Sequence, residues 1–210
     1  MSPAASLPAR ERPTQTERRA RSRSALLESA ARGLSRYGYG NLVLEDVARE
    51  AGYTRGALYH QFKDKEDLAL AVIEWVYESW MREVGEPAAR QPDPVAELLA
   101  LARGHALFCR RDIARVMMAL RLEFNGQNHP VAEAIHRISQ TLIKRCIRLI
   151  NSGRRDGTIP TGPPAKTVAL ALMGALEGAV IELAGQTPHD ELLAERAVAG
   201  VVGLDSRFIT

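Results

Sequence analysis

Apolar residues recur at helical spacing along most of the chain. Leu26, Leu27, Ala30, Ala31 and Leu34 form the first stripe, in a segment that turns helical from Thr16 and stops at "YGYGN", Tyr37–Asn41. Leu44, Val47, Ala48 and Ala51 stand at i, i+3, i+4 and i+7 and predict a second, short helix. Gly52 ends it, because glycine enters the left-handed conformation past a helix terminus without steric cost. Thr54 then offers a capping oxygen for a third helix reaching about Phe62. Asp64 restarts a fourth, with Asp67 close to capping-box spacing, which continues through Leu68, Val72, Ile73 and Val76 to about Val84. "GEPAARQPDP", Gly85–Pro94, reads as a break, and helical patterns follow at 94–109, 112–124, 129–151, 164–185 and 189–203. No strand-type alternation and no internal repeat interrupts them. The expected fold is all-α: a disordered leader over residues 1–15, a three-helix bundle over 16–66, and a larger helical domain over 67–210.

Composition narrows the class. With 46% hydrophobic and 25% charged residues the chain reads as globular. Cys109 and Cys146 are too few for a disulfide framework, and the N-terminal stretch lacks an apolar core of signal type, so a cytoplasmic protein is expected. The most apolar run, Val168–Ile181, contains Glu177 and falls short of the ~20 residues a membrane span needs, so no membrane is expected. Net charge is +3, and residues 1–68 carry it, with 12 Lys/Arg against 9 Asp/Glu. The densest basic block, Arg18–Arg23, suits phosphates as well as it suits a solvated helix face.

Two short helices joined by a glycine turn make a helix-turn-helix. Ala48 admits close approach of the second helix to the third, backed by Val47, Tyr53, Leu58 and Phe62. The tip of the third helix would present Thr54, Arg55, Gly56 and Ala57, residues small or polar enough for a major groove, with Arg55 as the candidate for a guanine edge. Tyr59 and His60 could hydrogen-bond phosphate oxygens, Lys63 could pair with one, and Lys65 stands at the start of the fourth helix, where free N–H groups also favour an anion.

The segment "EDVAREAGYTRGALYHQFKDKEDL" closely resembles the DNA-binding segment of the tetracycline-repressor (TetR) family of bacterial transcriptional regulators. It shares the Asp-aliphatic-Ala, the Ala-Gly followed by a Thr cap, Gly-x-Leu-Tyr, Phe, and Lys-x-Lys-Glu-x-Leu, and the resemblance covers about residues 16–70. It implies phosphate contacts for Tyr59 and Lys65 and places Thr54, Arg55 and Gly56 in the recognition helix. Val43 departs from the frame where the family often has a Thr that caps and binds phosphate, which leaves that contact to Asn41 or to the Arg18–Arg23 segment. A homodimer on a palindromic operator is also implied, with the C-terminal helices forming a ligand pocket and an interface.

Within the C-terminal domain, "KTVALALMGALEGAVIELAG", Lys166–Gly185, is apolar nearly all round. Gly174, Gly178 and Ala179, with Leu193, Ala197 and Val201 of the last helix, are the interface candidates; an ordinary intrachain core is the competing reading. Trp75, Trp80, His105, Phe108, Met117, Leu120, Phe124, Met173 and Glu177 are candidates for an effector pocket, for which a cavity of several hundred Å³ is expected. The effector would be small and largely apolar or aromatic. Neither an enzyme motif nor metal-ligand spacing accompanies them: His129 and His136 share a helix face without further ligands. No cofactor is expected. Two alternatives stay open: a DNA-binding dimer without any effector, and a redox regulator acting through Cys109 or Cys146.

Overall fold

The computed structural model describes residues 14–204, and among these every regular element is helical. Nearly all of the expected leader therefore lies outside the described residues. Its last two positions are already structured: Thr14 caps α1 (Gln15–Asn41) through a reciprocal box in which its hydroxyl accepts from Glu17 N–H and Glu17 Oε2 accepts from Thr14 N–H. The capping Glu lies three residues on, so the helix begins one residue earlier than its apolar stripe suggests. Gly38, at φ 74°, breaks α1 near its end and turns the chain toward the next helix.

Three short elements follow as expected: α2 (Leu44–Glu50), α3 (Arg55–Tyr59) and α4 (Lys65–Trp80). Gly52 takes φ 77° between α2 and α3, and Thr54 Oγ1 accepts from Ala57 N–H at 3.2 Å. α3 is shorter than its sequence pattern, because the chain leaves the helix after Tyr59 to carry Phe62 into the core. Asp64 caps α4 by accepting from Asp67 N–H, and Asp67 accepts in return from Lys63 N–H.

α4 does not stop at the expected break. A π-helical turn, Met81–Gly85, adds a residue to the ladder and runs without a break into α5 (Glu86–Ala88), so that Pro87 lies just before the chain leaves the helix. The remaining helices are α6 (Pro94–Cys109), a 3₁₀ turn at Asp112–Arg115, α7 (Val116–Glu123), α8 (Pro130–Arg155), α9 (Ala165–Leu183) and α10 (His189–Val202). None is long and apolar enough to cross a membrane.

Two apolar clusters hold the helices together. The first joins α1–α4 to α7 and the start of α8, with Leu26, Leu34, Leu58, Phe62, Leu68, Val116, Leu120 and Val131 fully or almost fully buried. The second packs α6, the C-terminal half of α8, α9 and α10 around Leu98, Ile150, Leu172 and Val198. α4 therefore belongs to the core of the small bundle at its start and reaches the larger domain at its end.

Candidate nucleic-acid interface and interior cavity

The reading head is built by local geometry. Val47, Ala48, Leu58 and Phe62 are buried between α1, α2 and α3, while Ser29 donates its hydroxyl hydrogen to Val47 O at 3.0 Å and pins α2 to α1. With its back fixed, α3 turns Thr54, Arg55, Gly56, Tyr59 and His60 outward, and Lys63 follows on the same exposed side; Ala57 is half-buried. Arg55 rests on Glu45 at 2.9 Å, with its guanidinium 5.4 Å from the Tyr59 ring. An exposed pair of this kind holds by at most ~1 kcal/mol, so Arg55 can be exchanged onto another acceptor at little cost. Arg19, Arg21 and Arg23 extend the exposed basic surface along the first turns of α1, Arg23 lying 4.7 Å over Phe62.

Lys65 has a task that its spacing did not reveal. Its ammonium donates to Gly40 O at 2.9 Å and lies 4.9 Å from the Tyr39 ring, clamping the end of α1 against α4. Asn41 donates its amide to Tyr37 O. Val43 is exposed and supplies no side-chain cap to α2.

At the same corner Glu123, the last residue of α7, accepts from Tyr39 N–H at 2.6 Å and Gly40 N–H at 2.7 Å. Phe124 and His129 pack on Tyr39, with ring centroids 5.1 and 5.7 Å away. Nothing in the spacing of residues pointed to Glu123; the positive φ of Gly38 exposes the two N–H groups that it takes up.

Between α4, α6, α7, α8 and α9 lies an apolar cavity of about 130 Å³. Trp80, His105, Phe108, Met117, Met173 and Glu177 line it, as the sequence suggested. Trp75, Leu120 and Phe124 do not. Trp75 faces α1 beside Arg23 and Leu27, and Leu120 and Phe124 turn into the core shared with the reading head. Tyr77 also lines it, and so do Leu101, Arg121, Leu142 and Arg145, which carried no periodic signal that singled them out. The volume is below the several hundred Å³ expected and close to the ~150 Å³ of an apolar cavity able to take benzene.

Polar groups in the wall are mutually satisfied. Trp80 Nε1–H donates to His105 Nδ1 at 3.2 Å, so the neutral ring carries its hydrogen on Nε2, 3.6 Å from Cys109 Sγ. Burial lowers the His105 pKa to about 4, opposed by Glu177, and the ring is neutral at pH 7. Arg121 binds Glu177 and donates to Ser139 Oγ at 2.9 Å. Arg145 joins Glu97 at 2.7 Å and Gly85 O at 2.7 Å. Burial raises Cys109 to about 12 and Cys146 to about 11, so both remain thiols at neutral pH. Among the described residues no group of three or more His, Cys, Asp or Glu side chains is placed to hold a metal ion.

α9 and α10 present a second surface. Leu170, Gly174, Gly178 and Ile181 lie exposed along one side of α9, with Leu192, Leu193 and Gly200 on α10. A Cβ added at Gly174, Gly178 or Gly200 would meet no atom within 4 Å. Ala179, by contrast, is buried, Val201 packs on the intrachain core, and Ala197 is half-buried.

A small bundle with an exposed recognition helix on a larger helical body defines a helix-turn-helix DNA-binding regulator. Residues 26–72 match the family described as bacterial regulatory proteins, tetR family. Over 169 residues the chain is 30% identical to the HTH-type transcriptional repressor AcnR of Corynebacterium glutamicum, covering 78% of this chain and 82% of that one. Over 191 residues it is 26% identical to the HTH-type transcriptional repressor BepR of Brucella suis biovar 1, covering 87% and 91%. Among solved structures, AibR in complex with isovaleryl coenzyme A and operator DNA has the same fold at a TM-score of 0.70 and 18% identity, over 88% of this chain and 100% of that one. The chain belongs to the TetR family of transcriptional regulators.

Proposed function

We propose that the protein is a homodimeric repressor that leaves a palindromic operator when a small, largely apolar or aromatic effector enters the cavity. Residues 16–66 would read DNA, and residues 67–210 would bind the effector and dimerise. The observation that carries the effector reading is the apolar cavity walled by α4, the helix that starts at the reading head. At about 130 Å³ it has room for one ring or a short branched chain. AibR, of the same fold, is held with a small molecule and operator DNA, which supports gating in this architecture. Buried, protonated cysteines weigh against the redox alternative.

Coupling would run along two elements. α4 carries Val76, Tyr77 and Trp80 at the cavity and Lys65 at the head; α7 carries Met117 and Arg121 at the cavity and Glu123 at the head. A ligand that separates these walls tilts both against α1, changing the spacing of the two recognition helices.

Operator DNA selected from a random pool provides the assay. Met117→Trp fills the cavity, and the filled protein is expected to hold the operator while losing its response to any ligand that releases the wild type. A retained response would place the effector elsewhere. For the head, Arg55→Ala is expected to relax base preference at one position of each half-site, by ~1–3 kcal/mol, while Lys63→Ala weakens all sequences alike and lowers the salt slope by about one. Unchanged specificity and unchanged salt slope in the two variants would overturn this docking.

A further inference from the structure

The N-termini of α2 and α3 meet at the tip of the reading head. Glu45 stands in the first turn of α2 and Arg55 is the first residue of α3, and Glu45 Oε1 lies 2.9 Å from Arg55 Nη1. The tip therefore carries a carboxylate beside its guanidinium. Both side chains are exposed, so the pair contributes little to the stability of the fold. Asp46, the other acid in this turn, is engaged within α2 by Arg49 at 2.6 Å. Glu45 differs from it, because its cation belongs to the recognition helix and travels into the groove with that helix.

A carboxylate brought to DNA is repelled by phosphates, and α2 offers them no hydroxyl in exchange, since Val43 supplies no side-chain cap. In the major groove it finds donors on two bases, at cytosine N4 and adenine N6. Cytosine suits it better, because adenine sets the N7 acceptor next to its amino group. The two side chains can act together. Arg55 gives Nη1 to Glu45, which leaves the Nε–Nη2 edge to place two N–H groups on O6 and N7 of a guanine. The 2.9 Å contact is shorter than the ~3.4 Å between successive nucleotides of a strand, so the carboxylate falls within one step of that guanine. Glu45 comes from α2, the helix that crosses the backbone in this motif, and so enters from the groove wall over the adjoining pair.

We infer that Glu45 is a base-reading residue that selects cytosine at the pair adjoining the guanine read by Arg55. This rests on the docking of α3 in the major groove proposed above and adds a second specificity determinant, contributed by α2. Thymine O4 and guanine O6 and N7 are all acceptors, so at that pair the carboxylate discriminates by rejecting them as much as by attracting cytosine.

The test uses the full chain and its selected operator. Every single-base change in one half-site is measured by anisotropy for the wild type, Glu45→Ala, Glu45→Gln and Arg55→Ala. In the wild type, cytosine at the adjoining pair is expected to be preferred over thymine by about tenfold. Glu45→Ala should lose that preference and keep the guanine preference beside it. Glu45→Gln should move the preference to adenine, whose N6 and N7 an amide can meet together. Affinity for unrelated DNA should rise in both Glu45 variants, since a charge repelled by phosphates is gone, with helical content and thermal stability unchanged. Relaxation confined to the guanine pair would reduce Glu45 to a brace for Arg55 and overturn the inference. Wild-type base preferences in both Glu45 variants would overturn it too. Either result beside an altered Arg55→Ala profile would leave the docking of α3 standing. An Arg55→Ala profile identical to the wild type would sink that docking and this inference with it.

Discussion

The Gly178→Arg protein is expected to be monomeric at micromolar concentration, to retain its helical content, and to bind a full operator ~100-fold more weakly than the wild type. Gly178 lies mid-way along the exposed stripe Leu170–Gly174–Gly178–Ile181, and a Cβ there meets nothing within the protomer. The substitution is therefore silent inside one chain. Against a second copy it places a charge where two helices with small side chains would approach closely, and an uncompensated charge at such a contact is strongly unfavourable. Joining two heads through one interface makes the second half-site engagement intramolecular, which is worth ~10²–10⁴ in affinity, and a monomer forfeits it. Light scattering gives the oligomeric state, and anisotropy on full and half operators gives the affinities. Half-site affinity should not move. A dimer that survives the arginine, or full-operator binding at wild-type strength, would remove α9 from the interface.

The reading head was legible because its signals are local. Thr54, Gly52 and Asp64 each act within three residues of their own position, and all three do what their spacing implies. The cavity was legible only in part, because periodicity fixes a helix without fixing which neighbour each face meets. On α7, Met117 and Arg121 share the face turned to the cavity; Leu120, one step around the same helix, and Phe124, just past its end, enter the core beneath the reading head. Trp75 is the immediate neighbour of the cavity-lining Val76 and faces α1 instead. The same ambiguity put Ala179 in the interface stripe when it points inward. Lys65 and Glu123 show the other limit: their partners at Tyr39 and Gly40 are backbone groups remote in sequence, and no residue type advertises a backbone partner. Gly85–Pro94 misled for a local reason, since a π-turn carries the helix through Gly85 as far as Ala88.

Asp190→Ala is expected to lower the free energy of unfolding by about 3 kcal/mol at pH 7, the lower end of the range for breaking a buried ion pair. The carboxylate is 1% exposed and accepts from Arg110 Nε and Nη2, both at 2.8 Å, from Glu191 N–H at 2.9 Å and from Gly185 N–H at 3.3 Å. Arg110 keeps Glu191 at 2.6 Å after the change and is partly solvated, which holds the cost down. The hydrogen bonds from Arg110 lower the Asp190 pKa to about 2 against the opposing effect of burial. Since an unfolded Asp titrates near ~3.9, the folded state binds its proton less readily than the unfolded one, and the stabilisation is complete above that value. It fades as pH falls toward 2, so wild-type and Asp190→Ala stabilities should converge across that window. Urea unfolding at a series of pH values measures the gap, and a gap that stays constant from pH 5 to pH 2 would show that the carboxylate's charge does not hold this corner. The corner matters beyond stability. Asp190 opens α10 and ties it to the end of α6, and α10 contributes Leu192, Leu193 and Gly200 to the outer surface beside α9. Loss of that tie should therefore weaken dimerisation as well as folding, with operator affinity recovering as protein concentration rises, a recovery not expected of a variant damaged in its reading head.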